Sequence, residues 1–218
     1  GFIGGLVILE KHMSGTMVIV MSSVLVLYLG GAKIRHFAIL SMPAILGVIG
    51  LVAVESYRLA RWETFLNPWK DKLGSGYQVV QSLLAIGSGG IFGLGLGQSR
   101  QKYLYIPEAH NDFIFSILSE ELGFVGASVV IVLFLLLIWR GIKIAVNAPD
   151  TFGSLLAGGL ISLIALQIII NIAVVTASMP ATGMQLPFFS AGGSSMVFML
   201  SGMGMILSVS KFSSKKNL

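Results

Sequence analysis

Three acidic positions and one glycine-rich run hold the residue types in this chain that could do chemistry. Asp112 closes the stretch Pro107-Glu108-Ala109-His110-Asn111-Asp112 and directly precedes a helix-like run, 113–118. That spacing supports two readings. An Asn or Asp is a good helix N-cap and an acid is favoured at a helix N-terminus, so a cap at Asn111 or Asp112 is the first reading. The second is a carboxylate at the edge of an apolar helix, able to take a proton from a sugar hydroxyl or to hold a divalent metal. His110 would assist there, or act as a plain interfacial hydrogen-bonder.

Glu120-Glu121 stand just before the most apolar run of the chain. Acids at such a position are costly in lipid, so they face a wet cavity or pair with a base such as Arg100 or Lys102. Along a helix, Glu120 would lie about 12 Å from Asp112 and about 80° around it, which disfavours a close glycosidase-type carboxyl pair. The run Gly93-Leu94-Gly95-Leu96-Gly97-Gln98-Ser99-Arg100-Gln101-Lys102 offers backbone N–H groups and two cations. It would cradle a phosphate, or simply turn the chain. With no strand before it, it is not a dinucleotide fingerprint. The segment 178–195 has hydroxyls, two prolines and three glycines but no charge. Its Ser194 and Ser195 line a site or merely cap the following helix, and no serine lies in a Gly-x-Ser-x-Gly elbow.

The elements that must position these groups belong to a membrane. Hydrophobic residues make up 55% of the 218 and charged residues 11%, against about 25% charged in a soluble domain. With a mean hydropathy of +0.90, this excludes a water-soluble globule, a disordered chain and a coiled coil. The absence of Cys excludes disulfides, thiolate metal sites and a Cys nucleophile. A net charge of +5 reads as loop orientation rather than as nucleic-acid binding, so no nucleic-acid partner is expected.

A spanning helix needs about 20 mostly apolar residues. Charge-free runs place full spans at 13–32, 37–54, 122–139, 152–177 and 191–210, with a partial one at 1–9. The apolar opening Gly1-Phe2-Ile3-Gly4-Gly5 is not a signal peptide and reads as the middle of a larger protein. Lys33 and Arg35, Arg140 and Lys143, and Lys211, Lys215 and Lys216 fall on one side if the five spans alternate, and that side is the cytoplasm. Residues 77–97 are uncharged, but a sixth span there would invert this pattern. The stretch 77–86 is therefore read as a short amphipathic helix, followed by irregular glycine-rich chain that must be covered by protein or line a wet cavity. The expectation is an all-α polytopic membrane protein: one transmembrane domain, 1–218, of about five full helices plus a partial one. A long extracellular loop, 56–111, contains short helices, and its Trp and Tyr residues suit an interface.

Several of these stretches together resemble a known family. Leu66-Asn67-Pro68-Trp69, Gly74-Ser75-Gly76-Tyr77-Gln78, the Gly93–Gly97 run, Pro107–Phe115, Glu120-Glu121-Leu122-Gly123 and Leu186-Pro187-Phe188-Phe189-Ser190-Ala191-Gly192-Gly193-Ser194-Ser195 are similar to the SEDS family (FtsW, RodA, SpoVE). The wording is closer to FtsW and SpoVE of Gram-positive bacteria than to RodA. The likeness implies a ten-span protein of which this chain supplies the end of span five and spans six to ten. It implies polymerisation of lipid II into glycan strands, with release of undecaprenyl pyrophosphate, alongside a class B penicillin-binding protein in the bacterial cytoplasmic membrane. The family's essential aspartate matches Asp112. Arg100 and Lys102 would meet pyrophosphate, with Glu108, His110, Ser194 and Ser195 as further substrate-binding candidates and Mg or Mn at Asp112 as one route. The family's Gln-Pro-Asp-x-Gly-Thr turn reads Glu10-Lys11-His12-Met13-Ser14-Gly15-Thr16 here, without the Pro and with the acid shifted. A lipid II transporter and a non-catalytic scaffold are the rival readings.

Overall fold

The computed structural model describes residues 13–39, 62–101 and 110–213. The partial helix at 1–9, most of the 37–54 span, Lys102, Glu108 and the tail lysines 215 and 216 lie outside the described residues.

Regular structure among the described residues is helical. The principal elements are α1 (Met13–Leu29), α2 (Tyr77–Gly89), α3 (Ile114–Val146), α4 (Thr151–Val175) and α5 (Gly193–Phe212). Helices α3, α4 and α5 are long and apolar enough to cross a membrane, and α1 is a shorter apolar helix. Helix α1 stops three residues before the expected end of its span. Gly30 and Gly31 donate back to the Val26 and Tyr28 carbonyls, and Gly31 turns the chain at φ 88°, a left-handed conformation that glycine adopts freely. Helix α2 runs three residues beyond the expected 86. Its 13 residues cover about 20 Å, short of the roughly 30 Å hydrocarbon core. It buries Val79, Val80, Ser82, Ala85 and Gly89, one stripe at helical spacing.

Helix α3 begins at 114 and not at 122, so the sequence-expected helical start 113–118 and the apolar run are one element of 33 residues. It is broken once, at Gly123 (φ 68°, ψ −171°). Helix α4 starts on Asp150. Its carboxylate accepts from Gly153 N at 3.0 Å and its carbonyl from Ser154 N, which makes Asp150 the N-cap.

The chain falls into two compact units, with α3 and α4 contributing to both. The first comprises 1–31, 128–169 and 184–218. Its core is Ala145, Ala157, Ile161 and Ile206, with Ile144, Leu160, Met203 and Val209 packed against them. Small residues bring its helices together: a Cβ on Gly141 would collide with Ile161, and one on Gly158 would crowd Leu29. Without water to expel between lipid-embedded helices, such close van der Waals contact is what holds them. The second unit comprises 32–127 and 170–183 and holds α2, the glycine-rich run and the first turns of α3.

Candidate functional site

Asp112 precedes α3 by two residues and is half-buried, while Phe113 and Phe115 on either side of the helix start are buried. The first helical hydrogen bonds, from Ser116 N and Ile117 N, end on the Phe113 carbonyl. Phe113 is therefore the N-cap residue, and Asp112 sits one position outside. The capping role that spacing favoured for Asn111 or Asp112 falls instead to a residue whose side chain cannot cap, because the buried phenyl ring fixes the helix entry.

Asp112 is held from α4. The Asn171 side-chain amide donates to the Asp112 backbone carbonyl at 2.8 Å, and Asn171 is only 1% exposed. The Asp112 carboxylate faces Gly183, where an added Cβ would stand 3.3 Å from Oδ2. Gly183 has φ 68°, so a side chain there would be both strained and crowded against the acid.

One turn further along, a chain of hydroxyls fixes the same helix start. Ser82 of α2 donates to the Val175 carbonyl of α4 at 2.7 Å and shares a 2.7 Å hydrogen bond with Ser116 of α3. Both serines have no exposed surface, so each bond forms where an unmet hydroxyl would be expensive.

Glu120 is 1% exposed and surrounded by donors. Ser99 Oγ lies at 2.5 Å, Ser88 Oγ at 3.3 Å, Arg100 N at 3.2 Å and Gln101 N at 3.3 Å. Ser99 N donates to Glu121 at 3.2 Å. Of the bases named for pairing with Glu120, Arg100 contributes its backbone N–H while its side chain is exposed, and Lys102 lies outside the described residues. Hydroxyls and amides cost less to desolvate than a guanidinium, so these described donors can satisfy the buried carboxylate.

The glycine-rich run is likewise occupied. Leu94 N and Gly95 N donate to the Glu120 and Glu121 carbonyls, while Phe124 N and Val125 N donate to the Gly90 and Ile91 carbonyls. The break in α3 at Gly123 leaves these groups without helical partners, and residues 90–95 supply them. The close approach requires glycine on both sides. A Cβ on Gly93 would overlap the Glu121 carbonyl, and one on Gly123 would overlap Gly93 N. The N–H groups of 93, 94 and 95 therefore serve the fold, and a phosphate cradle built on them is corrected accordingly.

The remaining predicted residues lie on separate elements. His110 is exposed in the turn before Asp112, and Arg100 is exposed after Ser99. Ser194 and Ser195 lie in the first turn of α5, in the other unit, where Ser195 Oγ donates to the Gly192 carbonyl at 2.9 Å. Among the described residues no group of three or more His, Cys, Asp or Glu assembles to hold a metal. Sequence reasoning missed Asn171 and Gly183. An Asn inside the charge-free run 152–177 was the available signal, since a buried amide in an apolar helix needs a partner.

Comparison with known proteins covers nearly the whole chain. The family profile FtsW/RodA/SpoVE, described as "Cell cycle protein", matches residues 2–215. Stage V sporulation protein E of Bacillus subtilis (strain 168) is 53% identical over 196 residues, covering 90% of this chain and 54% of that protein. The probable peptidoglycan glycosyltransferase FtsW of Geobacter sp. (strain M18) is 42% identical over 205 residues, covering 94% of this chain and 56% of the relative. The chain thus spans about half the length of these relatives. Among solved structures, one described as "Structural coordination of polymerization and crosslinking by a peptidoglycan synthase complex" superposes with a TM-score of 0.77 at 28% identity, covering 98% of this chain and 60% of that one. The crystal structure of the rod shape determining protein RodA of Thermus thermophilus gives 0.62 at 28% identity, covering 98% and 54%.

Proposed function

Because the chain belongs to the FtsW/RodA/SpoVE family of multi-pass membrane proteins, we propose that it acts in a peptidoglycan glycosyltransferase that polymerises lipid II at the outer face of the cytoplasmic membrane. One observation carries this reading. Asp112 is a half-buried acid just outside an apolar helix, its main chain anchored by Asn171 and its carboxylate facing a residue without a side chain.

In the proposed reaction Asp112 accepts the proton of the acceptor sugar's 4-hydroxyl. The freed oxygen forms a bond to the anomeric carbon of the donor. The bond from that carbon to the pyrophosphate oxygen breaks, and its electron pair leaves on undecaprenyl pyrophosphate. The exposed Arg100 is the described cation suited to meet that pyrophosphate; Lys102 and Glu108 are proposed to flank it, and His110, Ser194 and Ser195 to contact the sugars. The described donors around Asp112 supply one carboxylate and no protein cage, so Mg or Mn would depend on Asp112 and on the substrate's own phosphates.

The proposed orientation puts Lys33, Arg35, Arg140, Lys143 and Lys211 in the cytoplasm with the C-terminus, and the 56–111 loop outside. A class B penicillin-binding protein is the proposed partner, supported by the likeness to a peptidoglycan synthase complex. Intramembrane Glu120 and Glu121 are compatible with a transporter as well; the described donors around Glu120 hold its carboxylate in place and add nothing to that reading.

The test is conversion of purified lipid II to glycan strands by the full-length protein with its penicillin-binding partner, with and without divalent cation. Polymer from wild type and none from folded Asp112→Asn supports the reading. Wild-type polymerisation by Asp112→Asn would make Asp112 structural. An intact complex that makes no polymer at all would favour transport or scaffolding.

A further inference from the structure

We propose that Asn171 is the positioning residue of Asp112. This rests on the reading of Asp112 as general base. Asn171 projects from α4, is 1% exposed, and donates to the Asp112 backbone carbonyl at 2.8 Å across 59 residues of sequence. Asp112 lies outside the hydrogen-bonded body of α3, because the first helical bonds end on Phe113. The amide of Asn171 holds the Asp112 carbonyl from another element, α4. Fixing that carbonyl fixes the peptide plane on the C-terminal side of Asp112 and with it the direction of the Cα–Cβ bond.

Two neighbouring features make the anchor specific. Val175, one turn after Asn171 on the same face of α4, accepts from Ser82, which in turn joins Ser116 in the first turn of α3. The end of α4 thus holds the start of α3 at two successive levels, and Asn171 is the level that reaches the acid. On the other side, Gly183 leaves room for the carboxylate where a Cβ would press to 3.3 Å. A carboxylate whose main chain is held by Asn171, and which no side chain at 183 crowds, keeps one direction toward a hydroxyl. Misplacing a reacting group by about 1 Å can cost about 100-fold in rate.

The experiment uses the full-length protein with its penicillin-binding partner and measures kcat and KM for lipid II, with melting temperature in the same detergent. Asn171→Leu keeps the branched shape in a somewhat larger side chain and removes the donor. Asn171→Gln keeps the donor. Ile206→Ala, in the apolar core of the other unit, is a comparator for general destabilisation. The expected result is a kcat about 10- to 100-fold lower in Asn171→Leu with KM within about twofold of wild type, at least partial recovery in Asn171→Gln, and wild-type kcat in folded Ile206→Ala. If Asn171→Leu does not fold, Asn171→Ala, which empties the site without overfilling it, is read on the same scale. The inference is overturned if the folded donor-less variant keeps its kcat, if its loss follows melting temperature as in Ile206→Ala, or if folded Asn171→Gln is as impaired as Asn171→Leu. Asp112→Asn, run in parallel, separates the two layers: if it is inactive while Asn171→Leu is normal, only the positioning role fails. If Asp112→Asn polymerises normally, the base reading itself fails.

Discussion

The two halves of α3 are held by opposite means. Its first turns, 114–123, are held by Ser82, Ser116, the Glu120 carboxylate and the backbone of residues 90–95. Its later turns carry Gly141 and Ala145 and pack through small and branched apolar residues onto Ile161 and Ile206. The difference teaches where directionality is needed. Apolar packing tolerates sliding, because dispersion has little directional preference. Hydrogen bonds in a low-dielectric interior hold one geometry and penalise any other. The directional half is the one that Asp112 precedes by two residues.

The largest expected effect is Asp112→Asn, which should lower lipid II polymerisation by about 100- to 10,000-fold, the usual range for a lost general base, with little change in melting temperature. Glu120→Ala comes next. It strands the Ser99 hydroxyl and the two N–H groups that point at the carboxylate, and should cost about 3–5 kcal/mol in unfolding experiments. Glu120→Gln, which retains an acceptor oxygen, should lose less. Gly123→Ala adds a Cβ against Gly93 N in a left-handed conformation and should cost about 3 kcal/mol. Its loss should appear as faster amide exchange at Leu94, Gly95, Phe124 and Val125. Equal protection in wild type and variant would show that the 90–95 pairing does not depend on the break.

On the apolar side Ile206→Ala should cost about 2 kcal/mol without altering activity per folded molecule. The smallest effect belongs to Asp71, an exposed acid whose carboxyl is held below the usual carboxylate range, first by the backbone N–H of Ser75 and also by the Ser75 hydroxyl. A lowered folded value stabilises the turn above the unfolded value, about pH 3.9, and that stability is lost as pH falls through the lowered one. Proteolysis within 67–76 should therefore speed up on acidification in wild type but change little with pH in Asp71→Asn.

The sequence by itself determined the class of the protein and the rough position of its helices. An apolar run of 20 or so residues has few alternatives in a membrane, because every backbone group must be bonded internally. This is why α4 and α5 fall within two residues of the expected 152–177 and 191–210. The family likeness, carried by motifs such as Pro107–Phe115, singled out Asp112. The tertiary structure decided what the polar residues between those runs do. Arg100 and the glycine run had the composition of an anion site, yet their N–H groups are taken by Glu120 and by the carbonyls freed at Gly123. Asn171 signals locally that it needs a partner but not which one, because that partner is 59 residues away, and Gly183 matters for the side chain it lacks. Such partnerships depend on which backbone groups a fold leaves unpaired. Those groups are known only once the chain has closed on itself.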